Sequence, residues 1–284
     1  MRGWWREIAG LVLPVSCGGC GSPRTALCPR CAAELTGAGP RRVRPAPEPP
    51  GLPDVHAAAS YEGGVRTLLL AHKERGALPL AGPLGGALAG AVEAAVRAVD
   101  GPSRGPGARE LMLVPVPSSR RSVRARGHDP TRRIAWAAAG RLRRAGRAVR
   151  VLPVLRQGRP VADQSGLDAR GRLANLAGAL EVAPGAVRLL RKGVAAGGRV
   201  VLVDDLMTTG ASLAEAARAT AWAVGSARPG VHTLFIPGLP DSLKEGVSEA
   251  LFEQPVAAVV ASSPSSFEIN RNPRGSCIVA GGER

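Results

Sequence analysis

Apolar residues along this chain come in two spacings, and their alternation predicts the architecture. HAAASY (56–61), LMLVPVP (111–117), VRVLPVLRQ (149–157) and RVVLVDDL (199–206) are short runs of mostly consecutive apolar residues that read as strands. The clearest is 199–206, whose unbroken apolar stretch at 200–203 fits a strand covered on both faces. Residues 63–74, 84–99, 130–147 and 212–224 carry helix-length patterns instead. Apolar runs at 231–236 and 256–261 predict further strands. Strands alternating with helices imply an α/β domain with a mainly parallel sheet and helices on both faces.

Punctuation divides the chain. Residues 36–54 (TGAGPRRVRPAPEPPGLPD) are dense in Pro and Gly without apolar periodicity, and read as a linker between a small head at 1–35 and a main domain at 55–272. The apolar stretch 77–96 holds Pro79, Pro83 and Glu93 and reads as a buried helix, not a membrane span. Arg2 and Arg6 precede a short apolar run, and Cys17 follows Ser16 as in a lipoprotein leader. The run is short and Pro14 is ill placed for processing, so the expectation is a cytoplasmic protein with no membrane span.

Composition narrows the partners. The formal charge is +16, carried almost wholly by Arg because Lys73, Lys192 and Lys244 are the only lysines. Such a balance points to phosphate-bearing partners, nucleotides or nucleic acid, although a biased Arg- and Ala-rich composition would give the same total. Aromatics are only 3%, which argues against a surface dedicated to stacking bases.

Three constellations carry chemistry. In the first, Asp204 and Asp205 end the 200–203 strand, and Thr208, Thr209, Gly210, Ala211 and Ser212 turn into a helix. Ligands of open α/β sheets bind at the carboxyl ends of strands, and a Thr/Gly/Ser turn opening a helix offers N–H groups and hydroxyls to a phosphate. Gly210 lets the backbone approach closely, and two adjacent acids suit paired sugar hydroxyls, with or without Mg²⁺. Simple helix capping would account for Ser212 but not for the acid pair. No GxxxxGK[ST] stretch exists.

The second is Cys17-x2-Cys20 and Cys28-x2-Cys31, the pair spacing of a zinc ribbon. So small a head cannot bury a core of its own, so a metal would supply folding free energy. Disulfides or an iron–sulfur cluster are the alternatives, and Cys277 lies apart. The third is LVPVPSSRRSVRARG (113–127), a strand running into an arginine-rich loop. Arg120, Arg121, Arg124 and Arg126 are candidates for closing over a pyrophosphate, since Arg recognises phosphate bidentately. Arg141, Arg143, Arg144 and Arg147 read as a solvated helix face.

VVLVDDLMTTGAS (200–212) closely resembles the phosphoribosyl-pyrophosphate signature of the type I phosphoribosyltransferases. The resemblance implies that Asp204 and Asp205 bind the ribose hydroxyls as the catalytic pair, and that 208–212 hold the 5′-phosphate. YEGGVRTLLLAHKERG (61–76), the VPVP-arginine segment and DQSGLDARGRLANLAGAL (163–180) follow in the order seen in the ComF family, which joins a four-cysteine zinc module to a phosphoribosyltransferase domain. The likeness spans about residues 12–225 and resumes near 256–272.

It implies that Lys73 and Gly76 lie in the family's lysine-glycine loop on the pyrophosphate side. Gln164, Arg172 and Asn175 match its Q…R…N segment, whose role the residues do not reveal. It implies structural zinc, Mg²⁺ with phosphoribosyl pyrophosphate, and an association with natural transformation. Single-stranded DNA and competence proteins then become expected partners. His128-Asp129-Pro130 replaces the family's usual Phe-Asn-Gln, with Pro130 suited to opening a helix. Residues 226–255 look like an insertion and 273–284 like a tail. Two readings follow: an enzyme transferring phosphoribose to an unknown acceptor, a salvage nucleobase included, or a non-catalytic DNA- or partner-binding adaptor on the same fold.

Overall fold

The computed structural model describes residues 16–101, 109–159, 169–225 and 254–268. Gln164, Cys277, the run at 231–236, most of the 226–255 segment and the 273–284 tail lie outside the described residues. The strands are β1 (Arg41–Val43), β2 (Val55–Ser60), β3 (Leu111–Pro115), β4 (Val149–Val151), β5 (Leu155–Gln157), β6 (Leu180–Val182), β7 (Arg199–Met207) and β8 (Val256–Ser262). The α-helices are α1 (Pro29–Thr36), α2 (Gly63–Glu74), α3 (Ala81–Asp100), α4 (Arg120–Arg126), α5 (Pro130–Arg144), α6 (Ala169–Leu176), α7 (Pro184–Ala195), α8 (Ala211–Gly225) and α9 (Pro264–Glu268).

Among the described residues, six strands form one sheet in the order β1-β2-β8-β7-β3-β4, parallel except for the antiparallel outer strand β1. Strands β5 and β6 pair antiparallel in a small second sheet. The unbroken apolar run of β7 has the burial expected of it. Val201 and Val203 pack on one face with α2, α3 and α5 residues such as Leu68, Leu88 and Ile134. Val200 and Leu202 pack on the other with Leu190 of α7 and Leu213 of α8. Two-faced burial of a mainly parallel sheet is thus shown.

Three readings need correction. The 149–157 run is not one strand: β4 stays on β3, while β5 leaves to join β6. Pro153 lies between them and has no N–H to extend a ladder. The arginine-rich 120–126 segment is not a loop but α4, capped by the Ser119 side chain, which accepts from Ser122 N, and ended by Gly127 at φ 74°. Residues 36–54 are not a bare linker, since β1 lies within them and its Val43 is buried against the sheet.

The cysteine head is also not a bead apart. Cys17, Cys28, Cys31 and Leu35 share one apolar cluster with Leu68, Leu80 and Leu84. The segment 77–96, expected as a buried helix, falls mostly in α3. Leu78–Asp100 is long and apolar enough by composition to cross a membrane, but most of its apolar window is buried inside the protein.

Candidate functional site

Strand β3 pairs with β7 as far as Pro115 and Val203, and Val116 N still reaches Val203 O at 2.9 Å. The next residues of β7, Asp204 and Asp205, therefore lie where the sheet opens at its carboxyl end. Asp205 is buried, and its Oδ2 accepts a salt bridge from Lys73 Nζ at 2.9 Å. Helix α2 delivers that lysine from its last turn, directly after β2. Asp204 Oδ1 accepts from Asp205 N at 2.8 Å and from Thr131 Oγ1 at 3.3 Å. Thr131 sits in the first turn of α5, which opens with Pro130 as anticipated and is N-capped by Asp129.

Two carboxylates with one ammonium leave an electrostatic imbalance. Burial, and then the charge of Asp205, push Asp204 well above the usual carboxylate range, while Lys73 pulls in the opposite direction. Burial works against the Lys73 charge, but Asp205 and then Asp204 outweigh it and hold the ammonium above its usual range. Added positive charge or a hydroxyl donor beside Asp204 would relieve that imbalance.

Beyond β7 the chain turns through Thr208, exposed, and Thr209, half-buried, into α8, whose first residues are Ala211 and Ser212. Gly210 takes φ 75°, in the left-handed region. A Cβ there would also stand 3.0 Å from Leu52 Cδ1 and 3.3 Å from Pro49 Cγ. The 36–54 segment therefore braces the loop from behind. Arg172 Nη1 of α6 donates to Thr208 Oγ1 at 3.3 Å.

The remaining candidates are placed differently. Gly76 ends α2 at φ 65°, folding Ala77 N back onto Ala71 O at 3.0 Å. Arg126 is already paired, its Nε and Nη2 donating to Glu74 at 2.9 and 2.7 Å. Arg121 and Arg124 are exposed on α4, and Arg120 opens that helix. Asn175 also lies on α6, where its carbonyl accepts from Arg159 at 2.9 Å.

Thr131 and His72 escaped the sequence reading, and His128 entered it only as part of the His128-Asp129-Pro130 departure. His128 Nε2 lies 3.3 Å from His72 O and its Nδ1 3.2 Å from Arg126 O, tying the ends of α2 and α4. Burial holds the neighbouring His72 imidazole below its usual range. A polar residue in the first turn of a helix after the arginine segment was the one available hint for Thr131.

Neither a scan against protein-family models nor a search of curated proteins finds a match.

The second constellation is a candidate metal centre. The sulfurs of Cys17, Cys20, Cys28 and Cys31 all lie within 4.8 Å of one another and are unbridged by disulfides. A tetrahedral zinc with Zn–S bonds of about 2.3 Å needs sulfurs about 3.8 Å apart, so the four are positioned to bind a metal ion and fit structural zinc. Although burial opposes it, the backbone N–H groups of Cys20, Cys28 and Gly19 bring the Cys17 thiol down to about 6. Burial and the neighbouring sulfurs push Cys31 up.

The head reaches the acid pair through α2. Glu62 at the start of α2 provides no side-chain cap, and Glu34 of α1 does so instead, its Oε2 accepting from Gly64 N at 2.9 Å. A Cβ on Gly64 would fall 2.4 Å from that oxygen and 3.3 Å from Cys31 Sγ. One end of α2 thus abuts the cysteines, and the other holds Lys73 on Asp205.

Proposed function

We propose that this chain is a phosphoribosyltransferase-like protein that binds phosphoribosyl pyrophosphate, or a nucleotide, at residues 204–212. The observation that carries the reading is the adjacent pair of half-buried Asp204 and buried Asp205, the latter bridged to Lys73, immediately before a positive-φ glycine turn that opens α8. A phosphate in that turn would meet free N–H groups and the positive end of the helix. The two carboxylates would accept from the paired hydroxyls of its ribose. The arrangement agrees with the resemblance of 200–212 to the type I signature and of the wider chain to the ComF family, which connects the protein to DNA uptake.

As an enzyme it would break the bond from ribose C1 to pyrophosphate and form one from C1 to an acceptor. Lys73 and the α4 arginines would balance the leaving charge, Arg126 exchanging Glu74 for the pyrophosphate. The hard oxygens of Asp204 and Asp205 fit Mg²⁺ in part, since Lys73 already occupies one of them. When bound, Mg²⁺ would supply further charge balance to the pyrophosphate. The adaptor reading is favoured by one observation, the exposure of Arg121 and Arg124, which suits contact with a DNA backbone.

Calorimetric titration of phosphoribosyl pyrophosphate and Mg²⁺ into wild type and an Asp204→Asn/Asp205→Asn variant tests the reading. Saturable binding by wild type, weakened at least about 100-fold in the variant, is expected, because each site loses a charge-assisted hydrogen bond. An absence of binding by folded, zinc-loaded wild type would sink it and leave the salt-dependent DNA affinity of the adaptor to be measured.

A further inference from the structure

Helix α6 was flagged by the sequence only as part of a Q…R…N segment of unknown role. In the folded chain it is a wall of the 208–212 loop. Leu176, with Ala179 just beyond the helix, packs on Ala211, the first residue of α8, and Leu173 closes the same cluster. The helix is followed by β6, which is bolted to α8. Glu215 accepts from Leu180 N at 2.9 Å, Arg218 donates to Leu180 O at 2.9 Å, and Glu215 and Arg218 pair with each other at 2.7 Å. Leu180 thus has both backbone groups fixed by the helix that the loop opens. A side chain on α6 therefore keeps a fixed position relative to that loop.

Arg172 is the side chain that this arrangement delivers. Its Nη1 reaches Thr208 Oγ1, yet its Nε is buried and finds no acceptor among the described residues. A buried N–H without an acceptor is costly, and a charged one more so. In the planar guanidinium Nε–H lies on the edge away from Nη1, while Nη1 and Nη2 share the edge beside the loop's own hydroxyl, so counter-charge on that shared edge would offset the cost of holding the cation there. Thr208 is exposed, so an anion can arrive there from solvent. An oxyanion with several acceptor oxygens would take hydrogen bonds from the Nη1/Nη2 edge and from the loop together, which a single carbonyl would do less completely.

We propose that Arg172 is an anion-binding residue of the 208–212 loop, donating from its guanidinium to the phosphate of a sugar phosphate. The proposal rests on the reading of that loop as a ribose-phosphate cradle. It adds a second cationic contact on the phosphate side of the ligand, distant in role from Lys73, which serves the acid pair. Arg172 fixes the phosphate end and Lys73 the opposite side, so the ligand would be held in one direction.

The test is titration of ribose 5-phosphate and of phosphoribosyl pyrophosphate into wild type, Arg172→Ala and Arg172→Lys. Thermal melts of each variant without ligand accompany it. Arg172→Ala should weaken both ligands by about 10- to 100-fold, the loss of one charge-assisted contact. Its ligand-free melting temperature should stay near wild type. Arg172→Lys should recover only part of the affinity, since it keeps the charge and loses the planar pair of Nη donors. Inorganic phosphate should compete with phosphoribosyl pyrophosphate in wild type and lose that ability in Arg172→Ala. Wild-type affinity in Arg172→Ala would overturn this proposal while leaving the cradle intact. Failure of wild type to bind either ligand would overturn the cradle reading itself, and this proposal with it.

Discussion

The cysteine cluster and the acid pair stand at the two ends of α2, a helix of 12 residues and about 18 Å. Each gathers groups that repel one another when ionised. In the head, four sulfurs converge within 4.8 Å of one another. At the site, Lys73 already answers Asp205 at 2.9 Å, and only Asp204 is left at a disadvantage. The first cluster is positioned to hold an ion among sulfurs that would otherwise crowd one another. The second is nearly balanced by the chain itself and keeps a reserve of unfavourable charge that a ligand can relieve. The two clusters thus differ in how much of the counter-charge the sequence supplies.

The comparison breaks most visibly at the metal. Chelation, or Cys31→Ser, should remove several kcal/mol, and at about 2–4 °C per kcal/mol lower the melting temperature by roughly 10 °C or more. Because Cys31 and Leu35 share a cluster with Leu68 and Leu84, the loss should appear in the main transition and not as a separate early one. A small, separate transition would show that head and body fold independently. Next in size, Lys73→Ala should destabilise by about 1–3 kcal/mol, because Asp205 is left buried without its partner while the lysine itself is partly solvated. Denaturant unfolding measures this, and an unchanged midpoint would mean that water replaces the ammonium freely.

The acid that the chain does not neutralise gives the opposite sign. Asp204 is raised in the folded state, so its contribution to stability is present at low pH and is lost as pH rises from the usual carboxylate range through its raised value. Asp204→Asn should therefore raise the melting temperature at neutral pH by a few degrees, with the gain shrinking toward acid pH, even as ligand binding falls. Glu215 behaves in reverse. Burial opposes its charge, but Arg218 and the Leu180 N–H hold its carboxyl below the usual range, so its stabilisation is present above that range and lost on acidification below it. Glu215→Gln should cost about 1 kcal/mol at pH 7 and nearly nothing at pH 3, as urea melts at the two values would record.

The sequence made legible what depends on neighbours in the chain. The 200–203 run could only be a doubly covered strand, and the acids and turn after it sit as their order implied. The CxxC pairs likewise bring their sulfurs together through local turns. What it hid depends on distant contacts. β1 is three residues with no apolar period, and becomes a strand only because Arg41, Arg42 and Val43 find Ala57, His56 and Val55 across the gap. Pro153 was visible, but its power to split 149–157 between two sheets was not. The bond from Thr131 to Asp204 and the engagement of Arg126 by Glu74 join residues whose nearness is a product of the fold. The helical state of 120–126 was readable in principle from Ser119 and Gly127, and was obscured by the density of arginine.

The two outer strands of the main sheet, among the described residues, give some of that arginine a different meaning. β1 presents Arg41 and Arg42 to solvent, and β4 presents Arg150 between buried Val149 and Val151. Open strand edges invite pairing with another chain, and charged side chains on short edge strands discourage it. These arginines act as gatekeepers against edge-to-edge aggregation of an otherwise apolar, alanine- and valine-rich sheet. Replacing them with residues of strong strand preference would leave the fold and both clusters intact while shortening the protein's life in concentrated solution.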